Sequence, residues 1–153
     1  MGSRGIFREI LMNNKNHNKN TGPNLLYIIE KGVEALVGKL FSKTSFSVFP
    51  KGELEQRWDE IELLDAKYSI IEADKLVDTV LKRAGMQGNS MADRLRKTEK
   101  LVPRSIYQKI WDAHKLRNQL VHEVDYELND ETAIQALWKM KKYLITLGAF
   151  KDE

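Results

Sequence analysis

One segment concentrates the residues that could do chemistry: WDAHKLRNQLVHEVD, Trp111 to Asp125. It places His114, Arg117, Asn118 and His122 within about two helical turns. An imidazole exchanges protons near neutral pH. A guanidinium grips a phosphate through two parallel donors and stabilises charge developing on it. An amide can orient either group. Together these side chains suit work on a phosphodiester. His114, Asn118 and His122 recur at i, i+4 and i+8, which assigns them to one stripe. Two histidines on a helix also raise the question of a metal. Asn118 stands between them, the chain has no cysteine, and Glu123 is the one adjacent carboxylate, so no metal and no cofactor is assigned.

Arg117 poses the sharper question. At about 100° per residue it falls in the middle of the apolar stripe made by Ile106, Ile110, Ala113, Leu120 and Val121. Burying a guanidinium costs several kcal/mol unless it is paired and hydrogen-bonded. Three explanations compete. Arg117 pairs with a carboxylate from IIEADKLVD, where Glu72 and Asp74 flank the apolar face. Or it lines a cleft that is not fully buried. Or the stripe is a subunit interface with a polar site at its centre. His114 reads as a core-edge, supporting residue.

The elements that must hold these residues are helical. Hydrophobic residues make up 42% of the 153 and charged residues 31%, a balance that folds as one ordinary domain. Long 3.6-periodic segments dominate, so an all-α protein is expected. ELEQRWDEIELL repeats at Leu54, Trp58, Ile61 and Leu64. Asp65 is a candidate N-cap for AKYSIIEADKLVDTVLKRAG, and Gly85 closes that run. Whether these two segments fuse is left open. Ser90 and Asp93 form a capping pattern for a short helix ending near Pro103. Helices over 105–122 and 131–147 follow. Short loops make neighbours antiparallel, so residues 53–150 are expected to form an up-and-down bundle of four to five helices. Ahead of it, residues 1–24 are Asn-, Lys- and Gly-rich and expected to be disordered. Residues 25–52 hold an amphipathic helix over 25–41 and a linker, KTSFSVFPKG.

The absence of cysteine excludes disulfides, thiolate zinc sites and a thiol nucleophile. With no window of eighteen apolar residues and no secretory pattern in MGSRGIFREILMNN, a cytoplasmic protein is expected, with peripheral membrane contact through 25–41 as an option. The net charge is +3. It is unevenly placed: residues 53–84 are acid-rich and residues 94–117 base-rich. Two hairpins with matching solvated charge would explain this, and so would a basic surface for a phosphate backbone. Arg104, Lys109 and Lys115 are the candidates to track that backbone. No aromatic series suggests base stacking, and Trp111 and Trp138 are expected to pack.

RNQLVH, Arg117 to His122, is similar to the Arg–polar–x3–His signature of HEPN domains. These are helical bundles found in RNA-cleaving toxins and RNA-processing proteins. The order of IIEADKLVDTVLKRAG, MADRLRK, WDAHKLRNQLVHE and a final helix also resembles small bacterial HEPN-like proteins, over about residues 66–147 and not 1–50. The resemblance implies a metal-independent endoribonuclease. His122 would transfer protons around the 2′-hydroxyl, and Arg117 and Asn118 would position the scissile phosphate. It also implies a composite site in a homodimer, RNA as substrate and, for a toxin, a neutralising protein partner. Some HEPN-like domains only bind RNA, nucleotide or protein, and a non-catalytic module is the alternative. One geometric point bears on the choice. Arg117 and His122 are five residues apart, hence about 140° apart around a regular helix and about 7.5 Å along it. They converge on one phosphate only if the helix distorts near His122 or a two-fold axis brings in a second copy.

Overall fold

The computed structural model describes residues 29, 31–33, 44–123 and 125–150. Residues 1–24 lie outside these, as does most of 25–41, of which residues 29 and 31–33 are helical. Five helices then follow: α1 (Glu53–Glu62), α2 (Ala66–Arg83), α3 (Met91–Lys97), α4 (Arg104–His122) and α5 (Asp130–Thr146). No strand occurs among the described residues. The chain is an all-α helical bundle.

Local chemistry sets the boundaries. The Asp65 side chain accepts hydrogen bonds from the Lys67 and Tyr68 amides, so α2 starts afresh and does not fuse with α1. Such a cap is worth about 1 kcal/mol. At the other end Gly85 takes a positive φ of 83°, the Gly85 amide reaches Lys82 O and the Met86 amide reaches Leu81 O. This paired arrangement satisfies carbonyls the helix would otherwise leave open. Ser90 and Asp93 cap α3 reciprocally, side chain to backbone in both directions. Gly88 lets the loop pass close by, since an added Cβ would sit 2.5 Å from that of Asp93.

α2 is the hub and packs against each of the other four helices. Its Ile70, Ala73, Val77 and Val80 are fully buried, in one core with Ile106 and Ile110 of α4 and Leu137, Met140 and Leu144 of α5. The segment read as a linker is irregular over 44–50, but it is not a free tether. Phe46 is buried, and the Phe49 ring lies under the guanidinium groups of Arg57 and Arg83. Phe150, beyond α5, meets Trp58 of α1 edge to face.

The uneven charge resolves partly into helix pairing. Arg94 of α3 is buried and grips both carboxylate oxygens of Asp78 on α2, at 2.6 and 3.0 Å. Lys141 of α5 reaches Glu62 of α1 at 3.3 Å.

Candidate functional site: a closed polar ring between α2 and α4

Arg117 points into the bundle, as its place in the stripe requires, and what meets it there is Asp74 of α2. Asp74 is buried and faces α4 with both oxygens. Oδ1 lies 2.9 Å from His114 Nδ1, and Oδ2 lies 3.4 Å from Arg117 Nε. Arg117 Nη1 donates to Asn118 Oδ1 at 3.0 Å, and Asn118 Nδ2 lies 3.4 Å from His114 Nε2. Four side chains thus form a closed circuit: Asp74, His114, Asn118, Arg117 and back to Asp74.

The circuit assigns its own hydrogens. The Asp74 carboxylate accepts, so His114 Nδ1 carries the proton. Nε2 then accepts from the Asn118 amide nitrogen. That leaves Oδ1 of Asn118 to accept from Arg117, which is the contact observed. Each choice forces the next, and the guanidinium is held from two sides.

The ring sits at the edge of the core. The Asp74 and His114 side chains are nearly closed off, whereas that of Arg117 is 26% exposed. Arg117 Nε is buried and, among the described residues, lacks a properly aligned hydrogen bond. Its closeness to Asp74 is therefore a charge contact. Arg117 is paired with Asp74, as the first explanation had it, and remains partly exposed.

Other candidates lie elsewhere. Glu72 is not the partner of Arg117; it pairs with Lys75 at 2.6 Å on the outer side of α2. The stripe of His114, Asn118 and His122 winds outward: His114 is buried, Asn118 half-buried and His122 exposed. Positions four apart drift by about 40° at each step, and two steps carry the stripe from core to solvent. His122 is the last residue of α4, which stays helical up to it, and Glu123 is the exposed C-cap. Val121, assigned to the apolar stripe, is 48% exposed because the bundle ends there.

The three basic candidates do not line up. Arg104 and Lys115 are exposed on the outer face of α4, whereas Lys109 turns toward α5 and lies 5.1 Å from the Trp138 ring centre. Trp111 packs, as expected, within a row of rings, whereas Trp138 is 48% exposed. Tyr107, Trp111 and His114 follow one another along α4, with ring centres 6.2 and 6.1 Å apart and steep interplanar angles. Their i, i+4, i+7 spacing was visible in the sequence as one face of a helix.

Among the described residues, no group of three His, Asp or Glu side chains is placed to hold a metal ion, and no helix is long and apolar enough to cross a membrane. The comparisons are silent. No protein-family model, curated protein or solved structure matches this chain. Its functional reading rests on its own residues.

Proposed function

We propose that this chain is a HEPN-like, metal-independent endoribonuclease whose cleft forms where two copies meet. The observation that carries the reading is the restrained, part-exposed guanidinium. Arg117 is held by Asp74 and Asn118, so it presents its remaining donors in a fixed direction without reorganising when a phosphate arrives. Preorganised charge of this kind is what phosphodiester cleavage needs.

In this scheme His122 takes the proton of a 2′-hydroxyl. The 2′-oxygen attacks phosphorus, a 2′-O–P bond forms, and the P–O5′ bond breaks. The leaving 5′-oxygen takes a proton from water, and a 2′,3′-cyclic phosphate remains. Arg117 neutralises the charge building on the non-bridging oxygens. Because α4 stays helical through His122, distortion does not bring His122 round to Arg117 of its own chain. A second copy is the remaining route. Val121, beside His122, is exposed and available to such a contact.

A second reading has its own support. The buried Nε of Arg117 against Asp74 is what a purely structural ion pair between α2 and α4 would look like. The protein would then be a non-catalytic module binding RNA, nucleotide or another protein. Incubation of the purified chain with a mixed RNA pool in EDTA, beside a folded His122→Ala variant of equal oligomeric state, separates the two. Cleavage by the wild type alone supports the nuclease. Cleavage by neither supports the binding module.

A further inference from the structure

The loop between α3 and α4 and the first two turns of α4 enclose a groove of about 560 Å³ lined by Glu99, Lys100, Arg104, Tyr107 and Gln108. Its chemistry is lopsided. Lys100 and Arg104 are exposed and, among the described residues, have no carboxylate partner, and Lys97 lies exposed nearby. Glu99 is the acid on the lining. One wall is the Tyr107 ring, the first member of the aromatic row that continues through Trp111 to His114. Trp111 is half-buried, and the Arg96 guanidinium stands 5.9 Å from its ring centre. That guanidinium is itself mostly exposed and shared with Asp93 at 2.7 Å.

We infer that this groove is the entry track for a short single strand of nucleic acid. Cationic groups beside exposed parts of aromatic rings suit a single strand: phosphates follow the charges, and unpaired bases lie against the rings. A duplex hides its base faces and could use only the charges. The track has a direction. It starts at Lys100 and Arg104 and runs past Tyr107 to the half-buried Trp111, one ring short of the buried His114. Tyr107 and Arg117 are ten residues apart on one helix, about 15 Å along its axis. The inference rests on the proposed function only for choosing RNA as the strand; the groove and its charges stand without it.

The test uses the full chain and a labelled mixed-sequence RNA 12-mer, measured by fluorescence anisotropy in EDTA at two salt concentrations. A 12-base-pair duplex and a polyglutamate peptide serve as competitors. The expected result is at least about tenfold tighter binding of the single strand than of the duplex, with weak competition by polyglutamate. The double variant Lys100→Ala/Arg104→Ala changes two exposed side chains and should retain its fold. It should bind about tenfold more weakly, with the salt dependence reduced by about 1.4 in logarithmic slope. A Lys51→Ala/Lys67→Ala variant, with charges removed from exposed positions of the α1 and α2 ends, should bind like the wild type. Absent binding, equal affinity for duplex, full competition by polyglutamate, or an unaffected Lys100/Arg104 variant each overturns the inference. Cleavage is scored separately with His122→Ala. Binding without cleavage keeps the track and removes the nuclease; cleavage at unchanged efficiency in the Lys100/Arg104 variant does the reverse.

Discussion

Asp74 on α2 receives His114 of α4 at 2.9 Å across forty residues of sequence, and the same carboxylate lies against Arg117 through its other oxygen. One acidic side chain therefore organises two of the residues picked out by type and spacing. Asp74→Asn keeps the shape and removes the charge. It should destabilise the fold by about 1–3 kcal/mol, below the usual cost of breaking a buried pair because Arg117 is partly solvated. Urea unfolding followed by circular dichroism reads this directly. Glu72→Gln, which removes the other sequence candidate, should change stability by less than about 0.5 kcal/mol.

The Asp78–Arg94 pair should make stability depend on acid. Burial alone would raise the Asp78 carboxyl, but hydrogen bonds from Arg94 and Lys82 outweigh it and hold the group below its ordinary value. A depressed carboxyl contributes stability that is present above its unfolded value near 3.9 and lost as pH falls through its folded value. The wild type should lose stability below about pH 4. Asp78→Asn should be less stable at pH 6 and show a smaller further loss on acidification. An unchanged acid slope in the variant would contradict this.

Thr98 and Tyr143 share a buried hydroxyl contact of 2.7 Å, and Thr98 also donates to Leu95 O. Tyr143 is therefore the donor between them. Burial pushes its phenol well above the ordinary value, so it keeps that hydrogen throughout the working pH range. The asymmetry predicts unequal costs. Tyr143→Phe leaves Thr98 satisfied and should cost about 0.5–1.5 kcal/mol. Thr98→Val leaves a buried phenol without a partner and should cost about 1–3 kcal/mol. Thermal or urea unfolding of both variants decides the order.

Much of the scaffold was legible because its signals are local. The Asp65 cap, the Ser90–Asp93 reciprocal cap and the glycine stop at Gly85 involve residues within a few positions of one another. The place of Arg117 in an apolar stripe raised a carboxylate partner as one of three explanations, with Asp74 as one of two candidates. What the sequence hid is long-range. Nothing local separates Asp74 from Glu72; only the way α2 lies on α4 does, turning one inward and the other to Lys75. Arg94 looked like part of a basic surface, yet it is buried against Asp78. The aromatic row was present as a pattern, but the sequence did not show that Tyr107 and Trp111 stay half-buried.

If Arg117 positions a phosphate, its planar fork matters as well as its charge. Arg117→Lys should keep the contact with Asp74 and yet lower RNA cleavage by about 10²–10³-fold, the usual cost of losing one preorganised charge-stabilising group. Single-turnover cleavage with saturating protein measures the loss apart from binding. Unchanged cleavage would assign Arg117 to structure alone.

The composite site is tested most directly by mixing two inactive proteins. Arg117→Gln and His122→Ala would each be prepared, shown to fold and to match the wild-type oligomeric state, then unfolded together, refolded and assayed on RNA in EDTA. If Arg117 of one copy works with His122 of the other, half of the dimers are mixed and each carries one intact site. Activity should then return to about a quarter of the wild-type value. Two inactive variants that stay inactive after mixing, beside an active wild type, would contradict a cleft shared between copies.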